Sequence, residues 1–208
     1  LCSLFPEAVH VVTMEGSGIS TVADLRGQSV DVGPDDSGTR FNAAQVLALN
    51  GLALTDLDRV QGKPPGEALD DLVAGRIKAA FLTGVYPYPQ ISGRARELPL
   101  RLVSLTERDL EAAAHVAPFL VPMVSPAGTY AGQEDPVQTM GVSALVVARG
   151  DLPDDVIGDL LDTLMSAQQA LSRHSLQAYF ISADTAERGL SIPLHPTAYR
   201  KLEELRSP

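Results

Sequence analysis

Three glycine-bearing loops carry the side chains best suited to chemistry. The first is Val32-Gly33-Pro34-Asp35-Asp36-Ser37-Gly38-Thr39, between a strand-like and a helix-like run. Ser37 and Thr39 offer hydroxyls, and Gly38 lets the backbone approach a ligand without a Cβ in the way. Free N–H groups and the dipole at the start of the following helix favour a carboxylate or phosphate. The same pattern also reads as an ordinary helix cap by Ser37 or Thr39. The second loop is Phe81-Leu82-Thr83-Gly84-Val85-Tyr86-Pro87. There Thr83 can donate or accept, Gly84 permits close approach, and Phe81 or Tyr86 can form a wall. A plain strand-to-helix turn with Phe81 in the core is its simpler reading. The third loop, Pro126-Ala127-Gly128-Thr129-Tyr130-Ala131-Gly132-Gln133, can present the neutral groups of Tyr130 and Gln133 to a small polar ligand, or it can be only a turn.

Constellations for covalent or metal chemistry are weak. The four histidines, His10, His115, His174 and His195, are far apart and lack metal-ligand spacing. His195, before Pro196, reads as a structural imidazole. Cys2 at the chain terminus is a poor place for a preorganised nucleophile. Asp70-Asp71 and Asp154-Asp155 read as solvated helix faces. The first loop is not followed by Gly-Lys-Ser/Thr, so it is not a P-loop, and the Gly-x-Ser-x-Gly spacing of a nucleophile elbow is missing. The expectation is a protein that is not an enzyme, with no cofactor and no metal.

The elements that must position these loops alternate. Val9–Thr13, Ser29–Val32, Lys78–Leu82 and Leu100–Leu105 read as strands. Val22–Leu25 reads as one helical turn. Phe41, Ala44, Val46, Leu47 and Leu49 fit a helix stopping at Asn50-Gly51. Glu67–Ala74 and Glu107–His115 are further helices, and a helical run follows the second loop. Beyond His115 the pattern changes: Phe119–Val124 and Val137–Ala148 read as extended. Pro153 to Ser172 reads as a long helix with Asp151 as N-cap and Val156, Ile157, Leu160, Leu161, Leu164 and Leu171 on its inner face. A last helix follows Pro196. Strand–helix alternation predicts an α/β fold, mainly a parallel sheet with helices on both faces, where ligands bind at the carboxyl ends of strands.

The 208 residues and 22.0 kDa suit one large domain or two small lobes. With 45% hydrophobic residues a packed core is available. A net charge of −10 disfavours nucleic acid as main partner. No apolar run approaches the roughly 20 residues of a membrane-spanning helix. One cysteine excludes an internal disulfide. Leu1 to Phe5 has no signal-peptide pattern, so the sequence reads as cytoplasmic or as beginning after removed residues.

Several collinear stretches resemble one family. Phe5-Pro6-Glu7-Ala8-Val9-His10-Val11-Val12, Ser20–Gly27, Val32-Gly33 with Ser37-Gly38-Thr39, Ala79-Ala80-Phe81, Ala127-Gly128-Thr129-Tyr130 with Gly132-Gln133, Leu145–Asp155 and Ile192-Pro193-Leu194-His195-Pro196 are similar to the periplasmic solute receptors of TRAP transporters, TAXI subfamily. The resemblance runs from about Phe5 to Glu204. It implies a fold like the type II periplasmic binding proteins, with one lobe complete and the other partial. Residues 14–125 would be the complete lobe. Residues 1–13 and 126–208 would be hinge strands and the C-terminal part of the first lobe, whose opening residues in family members precede the counterpart of Leu1. It further implies reversible binding of a glutamate-like or glutamine-like amino acid or an organic acid, delivered to TRAP membrane permease subunits. The cleft residues would be Ser37, Gly38, Thr39, Asn42, Thr83, Gly84, Tyr130 and Gln133. Asp35 and Asp36 depart from the family loop, which is more often uncharged. Each would oppose an anion by about 1 kcal/mol when solvated, which speaks against a simple dicarboxylate and leaves room for a zwitterion or a cation, and Arg40 would offset part of that. A ligand-sensing domain of a membrane histidine kinase is the competing reading, and the effector domain of a transcription regulator a more distant one.

Overall fold

The computed structural model describes residues 1–117 and 119–206. The chain divides into two compact units, Ala8–Gly141 and Leu1–Glu7 with Val142–Pro208. Strands β1 (Cys2–Met14) and β7 (Val137–Val146) contribute residues to both.

The Ala8–Gly141 unit holds β2 (Ser29–Asp31), α1 (Gly38–Leu49), β3 (Arg59–Gln61), α2 (Pro65–Val73), β4 (Ala79–Gly84), α3 (Pro89–Ala95), β5 (Leu100–Leu102), α4 (Glu107–Val116) and β6 (Val121–Ser125). The strand order is β3-β2-β4-β1-β7-β6, with β5 also paired to β1. The α/β class is as expected, but the sheet is mixed where a mainly parallel one was expected. β2 runs parallel to β3 and β4, whereas β1 is antiparallel to β4 and β5, and β6 is antiparallel to β7. Parallel pairing needs a crossover, normally a helix. β2–α1–β3, β3–α2–β4 and β4–α3–β5 each supply one, but β1 runs antiparallel to both β4 and β5, and β6 returns to β7 through a loop alone. The core packs Val12, Leu69, Leu72, Ile77, Leu82, Ile91 and Tyr130. Burial of each large apolar side chain contributes about 1.5–3 kcal/mol.

The other unit holds α5 (Asp154–Ser172) and α6 (Pro196–Arg206). Its core is Cys2, Ile157, Leu161, Ala186, Ala198 and Leu202, with Leu164 packed against it. The inner face of α5 is narrower than the sequence suggests. Val156, Leu160 and Leu171 are exposed, because the stripe through 157, 161 and 164 already meets α6, and the neighbouring stripe lies about 100° round the helix. Asp151 is not the N-cap. Pro153 occupies that position, and the Asp151 carboxylate takes both Arg149 Nε at 2.9 Å and Nη2 at 2.6 Å. Among the described residues, no helix is long and apolar enough to cross a membrane.

Candidate functional site

The first loop leaves β2 and is folded back on the start of α1. Gly33 has φ +83°, and a Cβ there would sit 2.8 Å from Thr39 Cβ and 3.0 Å from Ser37 Oγ, so only glycine allows this approach. Buried Asp31 fixes the loop from beneath. Its Oδ1 accepts from Gly33 N at 2.9 Å and its Oδ2 accepts from Lys63 N at 2.9 Å, tying the loops after β2 and β3 together. Burial raises the Asp31 carboxyl above the ordinary aspartate value, against the lowering by those two amides.

Ser37 is the N-cap of α1. Its Oγ accepts from Arg40 N at 3.2 Å and donates to Pro34 O at 2.7 Å. Arg40 N and Phe41 N are thereby satisfied, the latter by Ser37 O at 3.2 Å. The N–H groups of Gly38 and Thr39 donate to no protein atom among the described residues. A Cβ on Gly38 would meet nothing within 4 Å, so the backbone there is open. Arg40 pairs with Asp35 at 3.3 Å, and this Asp35 is largely exposed, so the local field of the acidic pair is partly compensated and screened.

Thr39 and Asn42, three residues apart on α1, both face the end of β4. Thr39 Oγ1 accepts from Thr83 N at 3.2 Å, and Asn42 Nδ2 donates to Thr83 Oγ1 at 3.3 Å. Gly84 follows, and a Cβ on it would lie 2.7 Å from Tyr88 Cε2. The structure therefore brings Ser37, Gly38, Thr39, Asn42, Thr83 and Gly84 together where the carboxyl end of β4 meets the amino end of α1.

Tyr130 reaches this cluster only from behind. It is buried in the core, and its hydroxyl accepts from Tyr88 N at 2.8 Å and contacts His10 Nε2 at 2.8 Å. Burial pushes the Tyr130 phenol up to about 12 and the His10 imidazole down to about 4, so both are neutral near pH 7. Gln133 closes its own loop, with Nε2 donating to Pro126 O at 3.0 Å and to Ser125 O and Asp135 O at 3.1 Å. Tyr130 and Gln133 also line a groove of about 910 Å³ with Leu100, Arg101 and Glu134, a groove to which the other six candidates do not contribute.

Sequence reading missed Asp31, His10 and Tyr88 as members of this assembly. Asp31 had a signal: a carboxylate in an apolar strand two residues before a glycine can accept that glycine's amide. His10 and Tyr88 had none, because their partners lie far along the chain. Among the described residues no group of three or more His, Cys, Asp and Glu could hold a metal ion.

Among solved structures, the aliphatic sulphonate binding protein SsuA of Escherichia coli is similar to this chain at 17% identity, with a TM-score of 0.51, covering 98% of this chain and 56% of that one. A putative sulfonate-binding SsuA of Methylobacillus flagellatus is 11% identical, with a TM-score of 0.49, covering 96% and 51%. The chain thus spans about half the length of these proteins. The first likeness places the fold among those of periplasmic binding proteins. The profile of the NMT1-like family matches residues 1–205, and the chain belongs to that family.

Proposed function

We propose that this protein is the extracytoplasmic, periplasmic solute-binding subunit of a TAXI-type TRAP transporter. It binds a small carboxylate-bearing solute, glutamate-like or glutamine-like or an organic acid, reversibly and delivers it to membrane permease subunits. Residues 14–125, which fall inside Ala8–Gly141, are read as the complete lobe. The remainder is read as hinge strands and part of the other lobe. The TAXI assignment rests on the collinear sequence stretches from Phe5 to Glu204. The SsuA likeness supports binding-protein architecture, and the sulphonate named for that protein is, like a carboxylate, a singly charged oxyanion.

The observation that carries the reading is the pair of unengaged amides, Gly38 N and Thr39 N, at the open end of a 12-residue helix. A carboxylate there would take two charge-assisted hydrogen bonds along the helix dipole. The Thr83 hydroxyl, held by Asn42, stands beside it for a second polar group of the solute.

Gly38→Ala is the clean test. The new Cβ meets nothing within 4 Å and needs no left-handed backbone, so the fold tolerates it, while a methyl group is added next to the Gly38 amide. Calorimetric titration with L-glutamate, L-glutamine and ethanesulfonate should give saturable binding of at least one, weakened at least tenfold in the variant at unchanged thermal midpoint. Binding of none of them, or equal affinity in both proteins, refutes the assignment. Thr39→Val is a poorer test, because it also removes the acceptor for Thr83 N.

A further inference from the structure

Three rings meet behind the candidate site. His10 lies edge-on to Tyr88 at 5.7 Å between centroids and edge-on to Tyr130 at 5.9 Å. His10 and Tyr130, 120 positions apart, share a hydrogen bond, and each is only 4% exposed. The direction of the bonds follows from chemistry. Tyr130 Oη accepts the Tyr88 amide proton and keeps one proton to give, and among the described residues His10 Nε2 is the acceptor within its reach, so that proton is assigned to Nε2. The imidazole then carries its proton on Nδ1, which among the described residues makes no hydrogen bond of good geometry and only approaches the Leu82 and Ala8 backbones. A buried unpaired donor is destabilising, and a phenylalanine would fill the same space without it. The hydrogen bond that Nε2 makes to Tyr130 is what a phenylalanine would lose, besides weaker approaches of the ring to the Leu82 and Ala8 backbones.

Beyond Tyr130 the contacts run on without a gap. Tyr88, held by its amide, places its ring where a side chain on Gly84 would be. Gly84 is joined to Thr83, and Thr83 is bonded to Thr39 and Asn42 at the start of α1. We propose that His10 and Tyr130 are positioning residues that fix the Thr83–Tyr88 turn against α1, with Tyr130 acting through Tyr88 and not by touching the solute. The proposal rests on the solute-binding reading above. It gives Tyr130 a role different from the ligand contact that the family resemblance implies.

The test combines amide hydrogen exchange with calorimetric titration of L-glutamate on the whole chain. Tyr130→Phe keeps the ring and removes the hydroxyl, and His10→Leu removes the acceptor. His10→Gln restores an acceptor through Oε1. The Tyr88 amide should exchange at least tenfold faster in Tyr130→Phe, and glutamate affinity should fall about tenfold. His10→Leu should move both readouts in the same direction, and His10→Gln should return them toward the unmodified protein. A purely structural role would lower the thermal midpoint while leaving the affinity of the folded protein unchanged. Unchanged exchange at Tyr88 in Tyr130→Phe, or faster exchange with unaltered affinity, overturns the proposal. Absence of glutamate binding by the unmodified chain counts against the proposed solute. The relay is then decided by exchange alone, and it falls if the Tyr88 amide is unaffected.

Discussion

Removing the Asp31 carboxylate should loosen the loop that presents the Gly38 and Thr39 amides, at a cost that can be worked from its two bonds. Asp31→Ala leaves Gly33 N and Lys63 N without their acceptor. An unsatisfied buried donor costs about 1–3 kcal/mol. The Gly33 bond is buried and loses that in full. The Lys63 bond is partly buried, and water recovers about half. The expected loss is about 2–4 kcal/mol at neutral pH, a large fraction of the roughly 5–15 kcal/mol that holds a typical domain. The measurement is urea unfolding followed by far-ultraviolet circular dichroism, with equal slopes required for the comparison. A loss below about 1 kcal/mol would mean that the two amides find other acceptors and that Asp31 does not splint the loop.

The same residue has a pH signature of definite sign. Burial raises its carboxyl above 3.8 by more than the Gly33 and Lys63 amides lower it, and the nearby Asp71 charge adds to the rise. A carboxyl raised in the folded state favours folding most below the unfolded value, and that contribution is lost as pH rises through the folded value. The stability gap between the unmodified protein and Asp31→Ala should therefore be wider in acid than at neutral pH.

Asp71 should behave in the opposite sense. Hydrogen bonds from Lys63 first and Arg76 second hold its carboxyl below 3.8, so its contribution is present above that value and is lost as pH falls through the depressed one. Urea midpoints of the unmodified protein measured from about pH 6 down to about pH 3 should fall relative to those of Asp71→Asn, and parallel curves would contradict the assignment. Cys2 is fully buried, and burial raises its thiol above 9.0. An aromatic disulfide reagent should label it only after unfolding in urea, and rapid labelling of the folded protein would show that the Cys2 core opens readily.

What the sequence made legible was local. Gly33, Gly38 and Gly84 mark loops because backbone without Cβ is needed where chain approaches chain, and such residues announce themselves singly. The start of α1 at Ser37 and its stop at Asn50 follow from short-range capping chemistry. Helix α5 was readable as a helix, but not which of its two apolar stripes would be covered, because that depends on where α6 lies. The mixed sheet escaped for a similar reason. Strand composition does not report direction, and β1 takes β4 and β5 as antiparallel neighbours from distant parts of the chain. The contacts that assemble the site join Thr39 to Thr83 and His10 to Tyr130, across 44 and 120 positions, and no spacing rule within a single sequence reaches so far.

The buried polar groups of the Ala8–Gly141 unit are placed in a way that stability alone does not explain. Asp31 and His10 both sit in the sheet at 4% exposure or less, where a valine or phenylalanine would avoid the desolvation penalty. Their bonds lead to one place from two sides. Asp31 holds Gly33, which lies against Thr39, and His10 holds Tyr130, which holds Tyr88 beside Gly84 and Thr83. Thr39 and Thr83 are themselves hydrogen-bonded. A fold selected only for its core would not converge two costly polar anchors on a single turn of helix whose leading amides remain open. A site that must hold its donors still before a solute arrives gains affinity from that rigidity, because less motion is lost on binding. On this view, loosening either anchor should weaken binding as well as the fold, and loosening both should weaken binding by little more than loosening one, since each acts on the same Thr39–Thr83 contact.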